Sequence, residues 1–466
     1  MAALPEAGRL LWAPRAWLPE GWRSDVLLSI DAQGHWEQVT PQVATPPGTA
    51  LRLPGALLPG LVNAHSHAFQ RAFAGLAEQR SAASDTFWSW RDRMYQAALR
   101  ITPEQLRAVA AMLFVELLQG GYTHVCEFHY LHHDRQGRAY ADPLEMSLAL
   151  ADAAQEAGIG LTILPALYQR AGFAQPALRD DQRRFASSAA SVWDAAQALL
   201  ARGHPLLRAG LAIHSLRAAT SEGLAALARA ARTFDGPIHI HVSEQTAEVD
   251  ECASATGQRP IAWLARQGLL DGRWQLVHAT HAADDEIDAV AASGAGIVLC
   301  PTTEANLGDG LPDLPRMLER DIPLTIGSDS QVNRDWREEL RWLDYGQRLL
   351  RRERNTGADP RRGQYSTAAR LWSRVQAGGA RSAGLPHWGL CAGARADALV
   401  LDEQATQLLG IAPSCTLDAL VFSSPAAAWR DVLVGGRWAL RDGSHPRAAA
   451  IARRFEEAMR ALWQPA

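Results

Sequence analysis

Residues 58–70 read Leu58-Pro-Gly-Leu-Val-Asn-Ala-His-Ser-His-Ala-Phe-Gln, an apolar run that ends in two imidazoles one residue apart. Alternate side chains of a strand share a face, so His65 and His67 can present both rings to one ion where the strand gives way to a loop. A His-x-His pair on a surface has no such meaning, so the rest of the chain decides. Other short apolar runs end in residues of the same chemical kind: His241 and Glu244 in Ile238-His-Ile-His-Val-Ser-Glu, His278 in Leu276-Val-His, and Asp329 in Thr325-Ile-Gly-Ser-Asp.

These runs belong to a longer pattern. From about residue 58 to 330, short apolar stretches alternate with segments of helical period, as parallel strands joined by helical crossovers do. Eight strands are expected, at 58–63, 123–128, 160–167, 209–214, 238–242, 275–278, 296–300 and 324–328. Helices are expected between them at 103–119, 143–156, 182–201, 222–233 and 284–292. The fold class is α/β, a closed (β/α)8 TIM-like barrel, with an open doubly wound sheet as the alternative. A barrel keeps its active site at the carboxyl ends of its strands. His65, His67, Tyr130, His214, His241, His278 and Asp329 all fall at such ends.

The flanks differ. Residues 1–57 and 385–446 hold strand-like pieces separated by Gly, Pro and Asp, including Ala398-Leu-Val-Leu and Val432-Leu-Val-Gly-Gly-Arg-Trp-Ala-Leu with a hairpin-type Gly-Gly turn. The expected organisation is a small β-sandwich domain built from both flanks, a barrel over 58–384, and an amphipathic helix within 447–466.

Composition narrows the function. A chain of 466 residues, 47% hydrophobic, buries a large core, and a net charge of −4 without long blocks of one sign points away from nucleic acid and membrane partners. A small-molecule substrate is expected. The first eight residues lack the basic and apolar regions of a secretory signal, so the expected location is the cytoplasm. Five scattered cysteines show no paired metal spacing and read mostly as small buried hydrophobes. All 46 basic residues are arginine. Without lysine, neither a Schiff base nor a carboxylated lysine bridging two metals is available.

Three imidazoles and one carboxylate, His65, His67, His241 and Asp329, suit one divalent ion, zinc above all, with iron also compatible. Such an ion lowers the pKa of water from about 15.7 to about 7, so no nucleophilic Ser or Cys is needed. His239 shares a strand face with His241. The latter is preferred because it lies nearer the strand end and places Glu244 three residues on, where a carboxylate can shuttle a proton from water to a leaving nitrogen. His278 is either a fourth ligand or a neighbour that polarises the reacting carbon, the second role being preferred. His132, His133 and His281 read as loop histidines.

With these residues assigned, the chain resembles the amidohydrolase superfamily along nearly its whole length. The resemblance rests on Pro59-Gly-Leu-Val-Asn-Ala-His-Ser-His, His241 with Glu244, His278, Ser328-Asp-Ser and Gly393-Ala-Arg-Ala-Asp-Ala-Leu-Val-Leu-Asp. His-x-x-Glu points to its mononuclear deaminase branch. Within that branch the segments beginning at His65, Phe87-Trp-Ser-Trp-Arg, Glu127-Phe-His-Tyr and His214-Ser-Leu-Arg-Ala are similar to the N-formimino-L-glutamate deiminase family. The resemblance implies hydrolysis of N-formimino-L-glutamate to N-formyl-L-glutamate and ammonia, a step of histidine degradation, by an enzyme with one metal ion per subunit of a homodimer. It also implies that His65, His67, His241 and Asp329 bind zinc, that Glu244, His278 and Asp329 take part in catalysis, and that Gln70, Arg91, Tyr130, His214 and Arg217 contact substrate. Chemistry agrees, since the two carboxylates of this substrate call for arginines such as Arg91 and Arg217. The alternatives are a purine or adenosine-derivative deaminase and, more remotely, a non-catalytic scaffold of the same fold.

Overall fold

The computed structural model describes residues 10–79 and 87–464. Its centre is a ring of parallel strands in chain order: β1 (Leu61–Ser66), β2 (Tyr122–His129), β3 (Gly160–Leu167), β4 (Leu211–Ser215), β5 (Ile238–Val242), β6 (Trp274–His278), β7 (Gly296–Leu299) and β8 (Leu324–Ile326). A single parallel bridge between Ser66 and Asp329 joins the last strand to the first and closes the barrel. Every residue of β2 and β3 is buried. Helices cover one side of each strand and the barrel interior the other, which explains the continuous apolar runs.

The first helix after β1 that matches its expected bounds, Pro103–Gln119, shows how local sequence sets a boundary. Thr102 accepts from the Gln105 amide (3.2 Å) and the Gln105 side chain accepts from the Thr102 amide (3.0 Å), with proline at the first helical position.

Two of the boundaries that differ from expectation have a visible cause. The strand expected at 58–63 is two pieces: Leu57–Leu58 pairs with Ala398–Leu401 in the flanking sheet, and β1 begins only after Pro59-Gly60. The helix expected at 182–201 is a 3-10 turn, Asp180–Phe185, followed by a helix at Ala189–Leu200 that Ser188 caps. Long-range polar contacts stop the turn from continuing as helix. Gln182 donates to the Tyr95 and Tyr168 hydroxyls (3.0 Å each), and Arg184 turns inward to the carbonyls of His133, Ala98 and Ile101.

Strands from both flanks form one eight-stranded sheet, with Leu10–Leu18, Gly21–Ile30, Trp36–Thr40, Leu51–Arg52 and Leu57–Leu58 from the first part of the chain and Ala398–Leu401, Trp429–Val434 and Arg437–Leu440 from the second flank. This sheet has its own core, including Leu11, Val26, Trp36, Val400 and Leu433. The hairpin turn Gly435-Gly436 has φ of 55° and 71°, the left-handed pair that a tight two-residue hairpin requires. Between these strands lies a helix, Thr416–Phe422, where only strand-like pieces were expected; it packs on the barrel helices Trp336–Arg351 and Thr367–Ser382. The final helix, Ala448–Trp463, packs on Pro103–Gln119. Among the described residues no helix is long and apolar enough to cross a membrane. The segment read for a secretory signal lies outside the described residues.

Arg395 joins the sheet to the base of the barrel. It donates to Asp397 Oδ1 (2.9 Å) and Oδ2 (2.6 Å) and to the Thr123 carbonyl (3.2 Å), and all of these groups are buried. Removing one partner of such a pair leaves a buried charge uncompensated. Arg395→Met should therefore lower unfolding free energy by about 3–5 kcal/mol in urea titration, while activity per folded molecule is retained.

Candidate active site

At the carboxyl ends of the strands, one pocket is lined by every candidate site residue except His65, which is buried beneath it. The position of each follows from its strand. Asp329 N donates to the His65 carbonyl (3.0 Å) and His67 N to the Asp329 carbonyl (3.3 Å), so closing the barrel also brings Asp329 to the two histidines. The Asp329 carboxylate then lies 3.4 Å from Nε2 of both His65 and His67. A β-bulge between Ile213 and Ser215 displaces His214, whose carbonyl accepts from His241 Nδ1 (2.8 Å). His67 Nδ1 donates in the same way to the Phe128 carbonyl (2.9 Å).

These two contacts define the chemistry of the cluster. A carbonyl oxygen only accepts, so His67 and His241 carry their proton on Nδ1 and direct the Nε2 lone pair inward. Burial drives the pKa of His67 and His241 down and that of His65 to about 3, so all three rings are neutral at pH 7. Asp329 remains ionised: burial opposes its charge, but the hydrogen bond from His65 and the positive charge of nearby His278 hold its pKa below the ordinary carboxylate value. The Nε2 atoms of His65 and His241 lie 2.9 Å apart, where two lone pairs repel unless a proton or cation is with them. Nitrogen and carboxylate atoms of His65, His67 and Asp329, and separately of His65, His241 and His278, fall within 4.8 Å of one another. Neutral imidazoles around one carboxylate are the donor set a divalent transition metal takes, so the residues fit such an ion.

His278 stands beside this cluster. Its Nδ1 meets Glu304 Oε1 (3.3 Å), and its Nε2 faces Glu244 Oε1 (3.7 Å) and Asp329 Oδ2 (3.9 Å). Burial opposes its charge, but the carboxylates of Glu244, Glu304 and Asp329 outweigh that and raise its pKa to about 10. Burial raises Glu244 to about 7, with His278 pulling the other way. A carboxyl poised near neutrality can both take and give a proton.

Across the pocket, Gln70 Nε2 donates to the Tyr130 hydroxyl (3.4 Å). Arg91 and Arg217 face the same space, and burial followed by the Arg217 charge is among the causes that lower the Arg91 pKa. His239, by contrast, lies away from the pocket, with Nε2 on the Ser382 carbonyl (2.8 Å). His132 and His133 are bonded to the carbonyls of Ala166 and Ala186. Sequence reasoning did not single out Glu248, Glu304, Tyr95 or Tyr168. Glu248 had a visible signal, four residues after Glu244; Glu304 is tied to His278 only by the fold.

The chain belongs to the amidohydrolase family, whose model matches residues 56–439. Among its relatives, a formimidoylglutamate deiminase from Pseudomonas aeruginosa is 46% identical over 453 residues, spanning 96% of this chain and 98% of that protein. A crystal structure of an amidohydrolase from Brucella melitensis superposes with a TM-score of 0.92 at 39% identity, covering 98% of this chain and all of that one. A zinc-bound adenosine deaminase from Xanthomonas campestris shares the fold at 23% identity, with a TM-score of 0.78 over 97% of this chain and 98% of its own.

His241→Ala should reduce bound divalent metal to below about one tenth of wild type in elemental analysis, whereas His239→Ala should leave it within about twofold. Equal loss in both variants would mean that the cluster is not the metal site.

Proposed function

We propose that the chain hydrolyses N-formimino-L-glutamate to N-formyl-L-glutamate and ammonia, using one divalent ion, zinc by its donor set, held by His65, His67, His241 and Asp329. The observation that carries the substrate assignment is the pair of guanidiniums, Arg91 and Arg217, facing one pocket beside the Glu244–His278 pair. Two positive charges in one confined space suit a dianion, and a purine offers no carboxylate to either. The deiminase relative, similar over nearly its full length, supports the same reading.

When bound, the ion supplies a Lewis acid that acidifies water next to the substrate. The chain's own residues do the rest. Arg217 and Arg91 each take a substrate carboxylate, and Gln70, Tyr130 and His214 orient the chain between them. Glu244 accepts the proton that water loses as its oxygen bonds to the formimino carbon, then returns it to the imino nitrogen. The adduct's hydroxyl then gives its remaining proton, through Glu244, to that nitrogen, which leaves as ammonia as the carbon–nitrogen bond breaks and the new carbonyl forms. His278, held by Glu304, donates toward the oxygen where negative charge develops, and Asp329 helps align the attack.

Ammonia release from N-formimino-L-glutamate, compared with N-formimino-L-aspartate, guanine and adenosine, tests the assignment. Activity should be confined to the glutamate derivative and be lost on chelation. Preferred turnover of a purine would overturn the substrate assignment. Glu244→Gln should lower kcat by about 10^3 or more with metal content unchanged. Metal loss in this variant would make Glu244 a ligand instead of a shuttle. Arg217→Ala should raise KM for the dicarboxylate by about 10^2, the order expected when one charge-assisted contact is lost.

A further inference from the structure

Glu248 is the third residue of the helix Thr246–Thr256, which starts just after β5. A glutamate at this position ordinarily reaches back to the amide of the capping residue. Here it reaches further. Oε1 accepts from the Ser243 amide and Oε2 from the Glu244 amide, each at 3.1 Å. These two residues form the turn that carries Glu244 out of the strand, and Ser243 holds a left-handed φ of 54°. Such a backbone persists only where its surroundings over-determine it, and the Glu248 carboxylate is the group that spans the turn.

The same side chain is only 3% exposed and lines the pocket with Arg217. Burial opposes the Arg217 charge, but Glu248, ahead of Tyr168 and Glu244, outweighs it and raises the guanidinium pKa. Reciprocally, burial pushes Glu248 up, and Arg217 leads the groups that pull it back. One carboxylate thus serves the residue proposed to bind substrate and the backbone of the residue proposed to move the proton.

We infer that Glu248 is a positioning residue that couples carboxylate recognition at Arg217 to the placement of Glu244, an inference that rests on the reading given above. When a substrate carboxylate arrives at Arg217 it takes up part of the positive charge that balances Glu248. The two amides then carry more of that balance, and the turn under Glu244 tightens. Substrate binding and proton transfer are linked through one side chain that itself moves no proton.

Glu248→Gln in the full-length, metal-loaded enzyme is the test, since the amide retains the size but loses the charge and presents a donor to one of the two N–H groups. Amide exchange at Ser243 and Glu244 should quicken about tenfold or more, while that of Ile240 in the strand is unchanged. With N-formimino-L-glutamate, kcat should fall about tenfold or more and KM should rise about fivefold or more. In an Arg217→Ala background the KM effect should shrink to within about twofold while the kcat effect persists. A purely structural cap would lower apparent kcat only in proportion to folded protein, and any KM effect would persist without Arg217. Exchange unchanged at residues 243 and 244 overturns the inference whatever the substrate. Absence of wild-type turnover would instead sink the substrate reading, and the exchange result would still decide the positioning role. If Glu248→Gln does not fold, Glu248→Asp keeps the charge on a shorter arm: KM should stay within about threefold while kcat falls, and the reverse pattern overturns the coupling.

Discussion

The seam between the first and last barrel strands is the constraint on which the site depends. An eight-stranded parallel barrel has no free edge only if β8 meets β1, and here the meeting is brief: one bridge between Ser66 and Asp329, made by two backbone hydrogen bonds, one to His65 and one from His67. Side chains reinforce it. Asn63 Nδ2 donates to Ser328 Oγ (2.7 Å), Asn63 Oδ1 accepts from the Ser328 amide (2.9 Å), and Gln331 Nε2 donates to Ser66 Oγ (3.0 Å). At Gly327 a Cβ would fall 2.6 Å from His65 Cβ and 2.8 Å from its backbone, so only glycine lets the strands approach this closely. The contacts that close the barrel are therefore the contacts that bring a carboxylate to two imidazoles.

Strain and burial accompany that arrangement. His278 and Asp329 both have left-handed backbones, φ 72° and 47°, at the ends of strands that are otherwise regular. Conformations of this kind cost of the order of 1–3 kcal/mol each and cluster where a side chain must be aimed. Here they turn the two side chains toward one point. Burial supplies the other half, because it keeps His65, His67 and His241 neutral and so keeps their lone pairs available. In water these imidazoles would be partly protonated near neutrality and would repel a cation.

Much of this could be read from residue order. Strands that are buried on both faces appear as unbroken apolar runs, so 160–167 and 238–242 were legible to the residue. His65, His67, His241, Glu244, His278 and Asp329 stood out because each ends such a run. What could not be read depends on distant partners. Leu57 and Leu58 look continuous with β1, and only pairing with Ala398–Leu401 assigns them to the other sheet. Gln182 has good helical surroundings, and two tyrosine hydroxyls, one of them 87 residues earlier, override them. Glu304 sits in a helix where a glutamate is unremarkable by local propensity, and the fold alone shows that its carboxylate faces inward; Glu248 is signalled only by its spacing from Glu244.

Inward carboxylates share one pocket with two arginines. Glu244, Glu304 and Asp329 surround His278, while Glu248 and Glu244 act on Arg217. Burying several like charges together is unfavourable unless something of opposite sign joins them, and protonation is the default relief, visible in the upward shift of Glu244. A divalent cation relieves the same field without using up protons. Arg91 faces the converse problem, since burial and then the Arg217 charge lower its pKa, whereas Glu248 overcomes the burial of Arg217 and raises the pKa there. An anion beside Arg91 would relieve it. A substrate that carries both carboxylates and a basic amidine, as proposed above, would find a counter-charge for each within this one pocket.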